Sequence, residues 1–143
     1  MVVQPAAYPL LDEIPMLEIP SALVIDDNSE ALNLIGHVLA SGGVRCVCKV
    51  RSAEEALEIL QTRSFELLIA DYRLEGMNGV EFLELLRASG DLTPLLLLTG
   101  APDKAGVIRA VSQQKVDVFG KPFRIAEFLD AIAKLMTEVE ARR

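Results

Sequence analysis

The chain has 143 residues, of which 51% are hydrophobic, and its formal net charge is −7. This length and composition predict one folded domain with a substantial core and exclude a largely disordered chain. The negative charge argues against direct nucleic acid binding and no apolar run is long enough to cross a bilayer, so we expect a cytoplasmic protein with no direct membrane contact.

The chain divides into a short tail and one alternating region. Residues 1–20 contain four of the seven prolines and show no hydrophobic period, which predicts an N-terminal tail or linker, with the folded domain over residues 21–143. From Ser21 onward, strand-like runs alternate five times with amphipathic helical patterns, which predicts a three-layer α/β domain with a parallel sheet. The predicted strands are 22–26, 44–50, 66–70, 94–98 and 116–119, and the predicted helices are 29–41, 53–62, 79–89, 103–113 and 124–140.

Polar residues stand at or just beyond the carboxyl ends of four predicted strands. Asp26 and Asp27 end the first run, Asp71 follows the third, Thr99 the fourth and Lys121 the fifth. Because the carboxyl ends of parallel strands share one edge of a sheet, where ligands bind, we expect these side chains to converge.

Such a convergence suits a cation and a phosphoryl group. Three neighbouring carboxylates repel each other unless a cation or a proton is taken up, and hard oxygen ligands favour Mg²⁺. A carboxylate can also form an aspartyl phosphate, for which Asp71 is the candidate. Lys121 would then pair with a phosphoryl oxygen and Thr99 would donate its hydroxyl. The alternatives are that Asp26 or Asp27 caps the first helix, that Lys121 is a solvated lysine and that Thr99 is a turn residue.

Four segments at this edge resemble the signature segments of the response regulator receiver domain. They are VIDDN at 24–28, DYRLEGMNG at 71–79, LLTG at 97–100 and KPF at 121–123. The resemblance covers residues 21–140 and implies a flavodoxin-like (βα)5 fold with strand order 2-1-3-4-5. It also implies a phospho-accepting domain of two-component signalling, regulatory rather than enzymatic apart from self-phosphorylation by small donors and autodephosphorylation.

The resemblance assigns roles to individual positions. They are Asp71 as the phosphoacceptor; Asp26, Asp27, Asp71 and the backbone carbonyl of Arg73 as the Mg²⁺ ligands; and Thr99, Gly100 and Lys121 as the phosphoryl-binding and switch residues. It further implies that the Lys121–Pro122 peptide bond is cis, as is usual in this family.

Three features depart from the family pattern. Val118 stands where the family usually has Tyr or Phe, and the aromatic Phe119 comes one position later, on the opposite strand face unless a bulge intervenes. This puts the family's coupling between the aromatic ring and the switch threonine in doubt. Glu75 replaces a common proline, and Gln114 with Lys115 replaces a common Ala-Gly turn.

The resemblance also implies partners. The phosphodonor would be a sensor histidine kinase or a histidine phosphotransfer protein, and phosphorylation would change the affinity for a downstream protein, with a homodimer as a further option. The expected output surface is formed by the fourth predicted helix, the fifth strand and the fifth helix. Its candidate residues are Lys104, Arg109, Lys115, Val118, Phe119 and Arg124.

Other functions are less well matched by the sequence. A receiver that acts as a phosphate shuttle or sink, or that belongs to a hybrid kinase or multidomain regulator, is the first alternative to a stand-alone switch. A haloacid-dehalogenase-like phosphatase would usually carry an Asp-x-Asp motif after the first strand, where this chain has adjacent aspartates. A nucleotide- or flavin-binding module would need a glycine-rich phosphate loop, which is missing.

Overall fold

The computed structural model describes residues 16–100 and 115–141. The predicted helix at 103–113, which carries Lys104 and Arg109, lies outside the described residues. In chain order the described elements are β1 (Ile19–Ile25), α1 (Ser29–Ser41), β2 (Val44–Val50), α2 (Ala53–Leu60), β3 (Leu67–Asp71), α3 (Gly79–Ala88), β4 (Leu95–Thr99), β5 (Val116–Gly120) and α4 (Ile125–Ala141).

The five strands form one parallel sheet in the order β2-β1-β3-β4-β5, which confirms the predicted fold class and strand order. The central strands β3 and β4 are buried at every position. Helices cover both faces of these strands, so both sets of alternating side chains must be apolar, and the strands read as continuous hydrophobic runs.

Alternating side chains of the sheet fill two separate cores. On one face, residues such as Val24 and Ile69 pack with α1 and α4. On the other face, their neighbours Leu23 and Leu68 pack with α2 and α3. The sheet is therefore the middle of three layers, and its carboxyl edge is held rigidly from both sides.

The first strand begins earlier than predicted. It starts at Ile19 rather than at residue 22, and the N–H of Leu17 already donates to the carbonyl of Gly42 at 2.6 Å. Pro20 suggested a break, but β3 pairs with β1 only from Ala22 onward, so Pro20 lies where β1 has a neighbour on one side only. Residues 17–20, which the sequence analysis assigned to the tail, therefore pack with the sheet; residues 1–15 lie outside the described residues.

The other observed boundaries lie within two residues of the predicted ones. Two of the differences concern the polar residues Asp71 and Thr99. Asp71 is the last residue of β3 and Thr99 the last residue of β4, one position inside strands that were predicted to end before them. Their backbones therefore share the hydrogen-bonding register of the sheet, which fixes where the side chains start.

The turn before β5 carries the departure at Lys115. Its φ of 60° lies in the left-handed region that favours glycine, the residue usual at this point in the family it resembles. The Arg87 guanidinium donates to the carbonyls of Asp91 and Thr93, each at 2.9 Å, and to that of Lys115 at 3.4 Å. Arg87 thus joins the end of α3 to the start of β5.

Within the described parts of the chain, none of the helices has the length and apolar composition that a membrane crossing requires.

The early start of β1 leads to a test of stability. Leu17 is only 5% exposed, so Leu17→Ala should lower the free energy of unfolding by about 2–4 kcal/mol, because it removes a buried side chain from a closed core. Met16 next to it is 72% exposed, and Met16→Ala should change stability by less than about 0.5 kcal/mol. Urea denaturation of both variants measures the difference; equal effects would contradict the packing of Leu17.

Candidate functional site

Three carboxylates and one ammonium meet at the carboxyl edge of the sheet. Carboxylate oxygens of Asp26, Asp27 and Asp71 all lie within 4.8 Å of one another. The Nζ atom of Lys121 lies 3.0 Å from Oδ1 of Asp71 and forms a salt bridge with it. Asp26 and Asp71 are buried, whereas Asp27 is half-buried. The cluster is therefore set into the sheet edge and opens to solvent on one side.

Asn28 shapes the turn that carries the first two carboxylates. Its backbone N–H donates to Oδ1 of Asp26 at 3.0 Å, and its own Oδ1 accepts from the N–H of Ala31 at 2.9 Å, which caps α1. The alternative in which Asp26 or Asp27 caps the first helix is therefore wrong. Because Asn28 takes the cap, both carboxylates face the cleft without that structural role.

Gly79 lets α3 begin directly beside Asp71. After Asp71 the chain leaves the sheet and returns, and the N–H of Gly79 donates to the carbonyl of Tyr72 at 3.0 Å. A Cβ atom on Gly79 would stand 2.5 Å from the carbonyl oxygen of Asp71. Asn78 accepts from the N–H groups of Val80 and Glu81 in a complete capping box. The Asn-Gly pair thus fixes the loop that contains Arg73.

The ends of β4 and β5 are joined through their backbones. Thr99 is buried at the end of β4, lies opposite Gly120, and its carbonyl accepts from the N–H of Lys121 at 2.8 Å. Gly100 next to it is exposed. The Lys121–Pro122 peptide bond is cis, as the resemblance implied.

The cluster lines an open cleft of about 520 Å³. Arg73 contributes to its wall, as expected for the loop after Asp71, and so do Glu30 and Leu34 of α1, which the sequence analysis missed. The sequence did carry a signal for Leu34, because this leucine lies off the apolar stripe of α1. In the structure it is 61% exposed and so has no place in the core.

Burial and crowding act on the ionisation of Asp26. Burial raises its pKa above the ordinary value, the hydrogen bond from the Asn28 N–H lowers it, and the charge of Asp71 raises it again. Smaller effects come from Lys121, which lowers the pKa, and from Asp27, which raises it. The net direction is upward, so the protein holds a carboxylate where its negative charge is unfavourable.

The donor set fits a small divalent cation. The three carboxylates carry three negative charges and Lys121 one positive charge, which leaves a net charge of −2 at the edge of the sheet. All the ligand atoms are hard oxygens, the type that Mg²⁺ prefers. A bound cation would also offset the repulsion from Asp71 and Asp27, which adds to the effect of burial in raising the Asp26 pKa.

Val118 and Phe119 lie on opposite faces of β5. The register is regular, with Val118 opposite Leu97 and Phe119 opposite Leu98, so the bulge that would have brought Phe119 to the Val118 face is not formed. Val118 packs on the side of α2 and α3. Phe119 packs on the side of α1 and α4, with its ring centroid 5.4 Å from that of Phe123. The two residues therefore face different helices, and their assignment to the output surface stays a prediction.

Comparison with known proteins places the chain among relatives of one kind. The family described as response regulator receiver domain matches residues 22–133. The response regulator protein FleR of Pseudomonas aeruginosa is 35% identical over 114 residues, which are 78% of this chain and 24% of FleR. The chain spans between about a quarter and a half of the length of the curated relatives it matches.

Solved structures of response regulators are similar to this chain as well. The chemotaxis response regulator CheY4 of Vibrio cholerae is 26% identical, with a TM-score of 0.72, over 82% of this chain and 98% of CheY4. Full-length FixJ of B. japonicum is 27% identical, with a TM-score of 0.76, over 85% of this chain and 59% of FixJ.

The raised pKa of Asp26 gives a prediction about pH and stability. Asp26→Asn keeps the acceptor for the Asn28 N–H and removes the unfavourable charge, so in EDTA at pH 7 it should raise the free energy of unfolding by about 1 kcal/mol. A raised folded-state pKa penalises the fold only where Asp26 is ionised, so the advantage should shrink as the pH falls through that pKa. Urea denaturation of both proteins between pH 7 and pH 4 measures this; an advantage independent of pH would contradict it.

Proposed function

The chain belongs to the family of response regulator receiver domains, and we propose that it accepts a phosphoryl group on Asp71 and thereby changes its affinity for a partner protein. Receiver domains of response regulators are regulatory and are phosphorylated by histidine kinases. This family membership separates the chain from the aspartyl-phosphate phosphatases that combine similar residues.

The convergence of three carboxylates with Lys121 supports this function most directly. Asp71 is only 8% exposed, yet it borders the open cleft through which a phosphodonor can approach. Asp26 and Asp27, together with Asp71 and the backbone carbonyl of Arg73, would hold Mg²⁺. When bound, this ion would neutralise charge on the cluster and on the phosphoryl oxygens.

The transfer itself needs little from the protein except position and charge. A carboxylate oxygen of Asp71 attacks the phosphorus of the donor's phosphohistidine, the P–N bond breaks, and its electron pair stays on the imidazole nitrogen. Lys121, which pairs with Asp71 at 3.0 Å before the reaction, then pairs with a phosphoryl oxygen. The Thr99 hydroxyl donates to another phosphoryl oxygen.

The backbone contact between Thr99 and Lys121 supports the switching half of the function. The N–H of Lys121 donates to the carbonyl of Thr99 at 2.8 Å, and both residues would bind the phosphoryl group. A shift of Thr99 toward the phosphate therefore moves the end of β5, and the populations of two conformations change. The donor would be a sensor histidine kinase or a phosphotransfer protein in the cytoplasm; a downstream protein partner and a homodimer stay predictions.

A second candidate is a phosphate shuttle or sink, and Val118 favours it. A shuttle needs acceptor chemistry at Asp71 but no rearrangement of the output surface, and β5 presents no aromatic ring on the Val118 face. Matches that cover only 24% of FleR also agree with a receiver that is one part of a larger regulator or hybrid kinase.

Phosphorylation of Asp71 can be tested by measuring the intact mass of the protein. Incubation of the wild type with acetyl phosphate and Mg²⁺ should add one phosphoryl group to the intact protein, and Asp71→Asn should add none. Asp130→Asn is the matched control, because Asp130 is a surface carboxylate paired with Lys134 and should not affect the adduct. An adduct that persists in Asp71→Asn would contradict the assignment of the acceptor.

Switching and shuttling can be separated by NMR. Beryllofluoride with Mg²⁺ mimics the phosphoryl group, and we expect amide resonances along β5, at Val116, Val118 and Phe119, to shift as well as those around Asp71. Asp71→Asn should show neither set of shifts. Shifts confined to the loops around the cleft would favour the shuttle or sink over the switch.

A further inference from the structure

Arg51 reaches from the end of β2 to the turn that carries the acidic pair. Its Nη2 atom donates to the backbone carbonyl of Asp27 at 2.9 Å. Arg51 is exposed, stands between the last residue of β2 and the N-cap of α2, and belongs to none of the segments that carry the family resemblance. Nothing in its sequence position marks it as part of the cleft.

Two consecutive residues of the β2 end hold two consecutive acidic residues. The carbonyl of Val50 accepts from the N–H of Asp26 at 3.2 Å, and the side chain of Arg51 donates to the carbonyl of Asp27. The first bond continues the ladder between β1 and β2. The second extends the contact by one residue beyond the sheet, where backbone pairing has ended.

Asp27 depends on this contact more than Asp26 does. The carboxylate of Asp26 accepts from the N–H of Asn28 at 3.0 Å and is buried, so its rotamer and position are fixed locally. The Asp27 carboxylate is half-buried, and within the described parts of the chain no hydrogen bond to it is formed. Its place beside Asp26 and Asp71 is therefore set chiefly by where its backbone stands.

We infer that Arg51 is a positioning residue for the Mg²⁺ site, which it serves by holding the Asp27 backbone so that the Asp27 carboxylate faces the other two. This inference rests on the proposed binding of Mg²⁺ by Asp26, Asp27 and Asp71. Residues that orient metal ligands without touching the metal typically change metal affinity by about 10–100-fold when they are removed.

The sign of the effect separates positioning from electrostatics. Arg51 carries a positive charge near a cation site, so by Coulomb's law alone its removal should make Mg²⁺ bind more tightly. Loss of the contact to Asp27 should do the opposite. A weaker affinity in the absence of Arg51 therefore has no explanation in charge.

The experiment is a Mg²⁺ titration of the full chain, followed by the NMR amide shifts of Asp27 and Asn28. We expect Arg51→Ala to raise the Kd for Mg²⁺ about tenfold, and Arg51→Lys, which retains a donor, to recover part of the loss. Lys49→Ala is the matched control: it removes the same charge two residues earlier, within β2, but Lys49 contacts Asn33 and the acidic turn is untouched. Its Kd should stay at or slightly below that of the wild type.

The urea midpoint in EDTA should be the same for wild type and Arg51→Ala, because the lost bond is exposed and lies outside both cores. An unchanged or lower Kd in Arg51→Ala, with wild-type binding intact, would overturn this inference alone. A wild type that binds no Mg²⁺ would overturn the proposed function as well, so the two failures are distinguishable.

Discussion

The mutual repulsion of three carboxylates at one sheet edge is the constraint on which the rest of this structure depends. Two unit charges 4 Å apart repel by about 4 kcal/mol at an effective dielectric of 20. Asp26, Asp27 and Asp71 are nevertheless held within 4.8 Å. The buried carboxyl ends of β1 and β3 fix the backbones of Asp26 and Asp71, and the salt bridge from Lys121 offsets part of the repulsion. The fold thus keeps an excess of negative charge that a divalent cation would compensate.

Much of this arrangement is readable from the sequence, because the relevant signals are local. Continuous apolar runs mark buried parallel strands, and a polar residue that ends such a run, such as Asp71, must lie at the edge of the sheet. The strict alternation of a regular strand also separates Val118 from Phe119. The family resemblance supplied the strand order, which the spacing of the runs alone leaves open.

The features that the sequence does not reveal depend on contacts between distant segments. The early start of β1 was not predicted because proline usually interrupts a strand. Pro20 is tolerated because β3 pairs with β1 only from Ala22 onward, so at Pro20 the strand pairs with β2 alone. The contact from Arg51 to Asp27 spans 24 positions, and an arginine after a strand looks like any solvated side chain. Leu34 carried a signal in being off the core stripe, but only the folded structure shows that it borders the cleft.

The burial of Leu17 has a practical consequence for how this protein can be handled. The chain enters the domain beside Gly42, at the amino edge of the sheet, and β1 then runs its seven residues to the acidic edge. At the rise of a strand these residues span about 20 Å. A fluorophore attached to the exposed side chain of Met16 therefore stands at the end of the domain remote from Asp71 and leaves the acidic edge of the sheet uncovered.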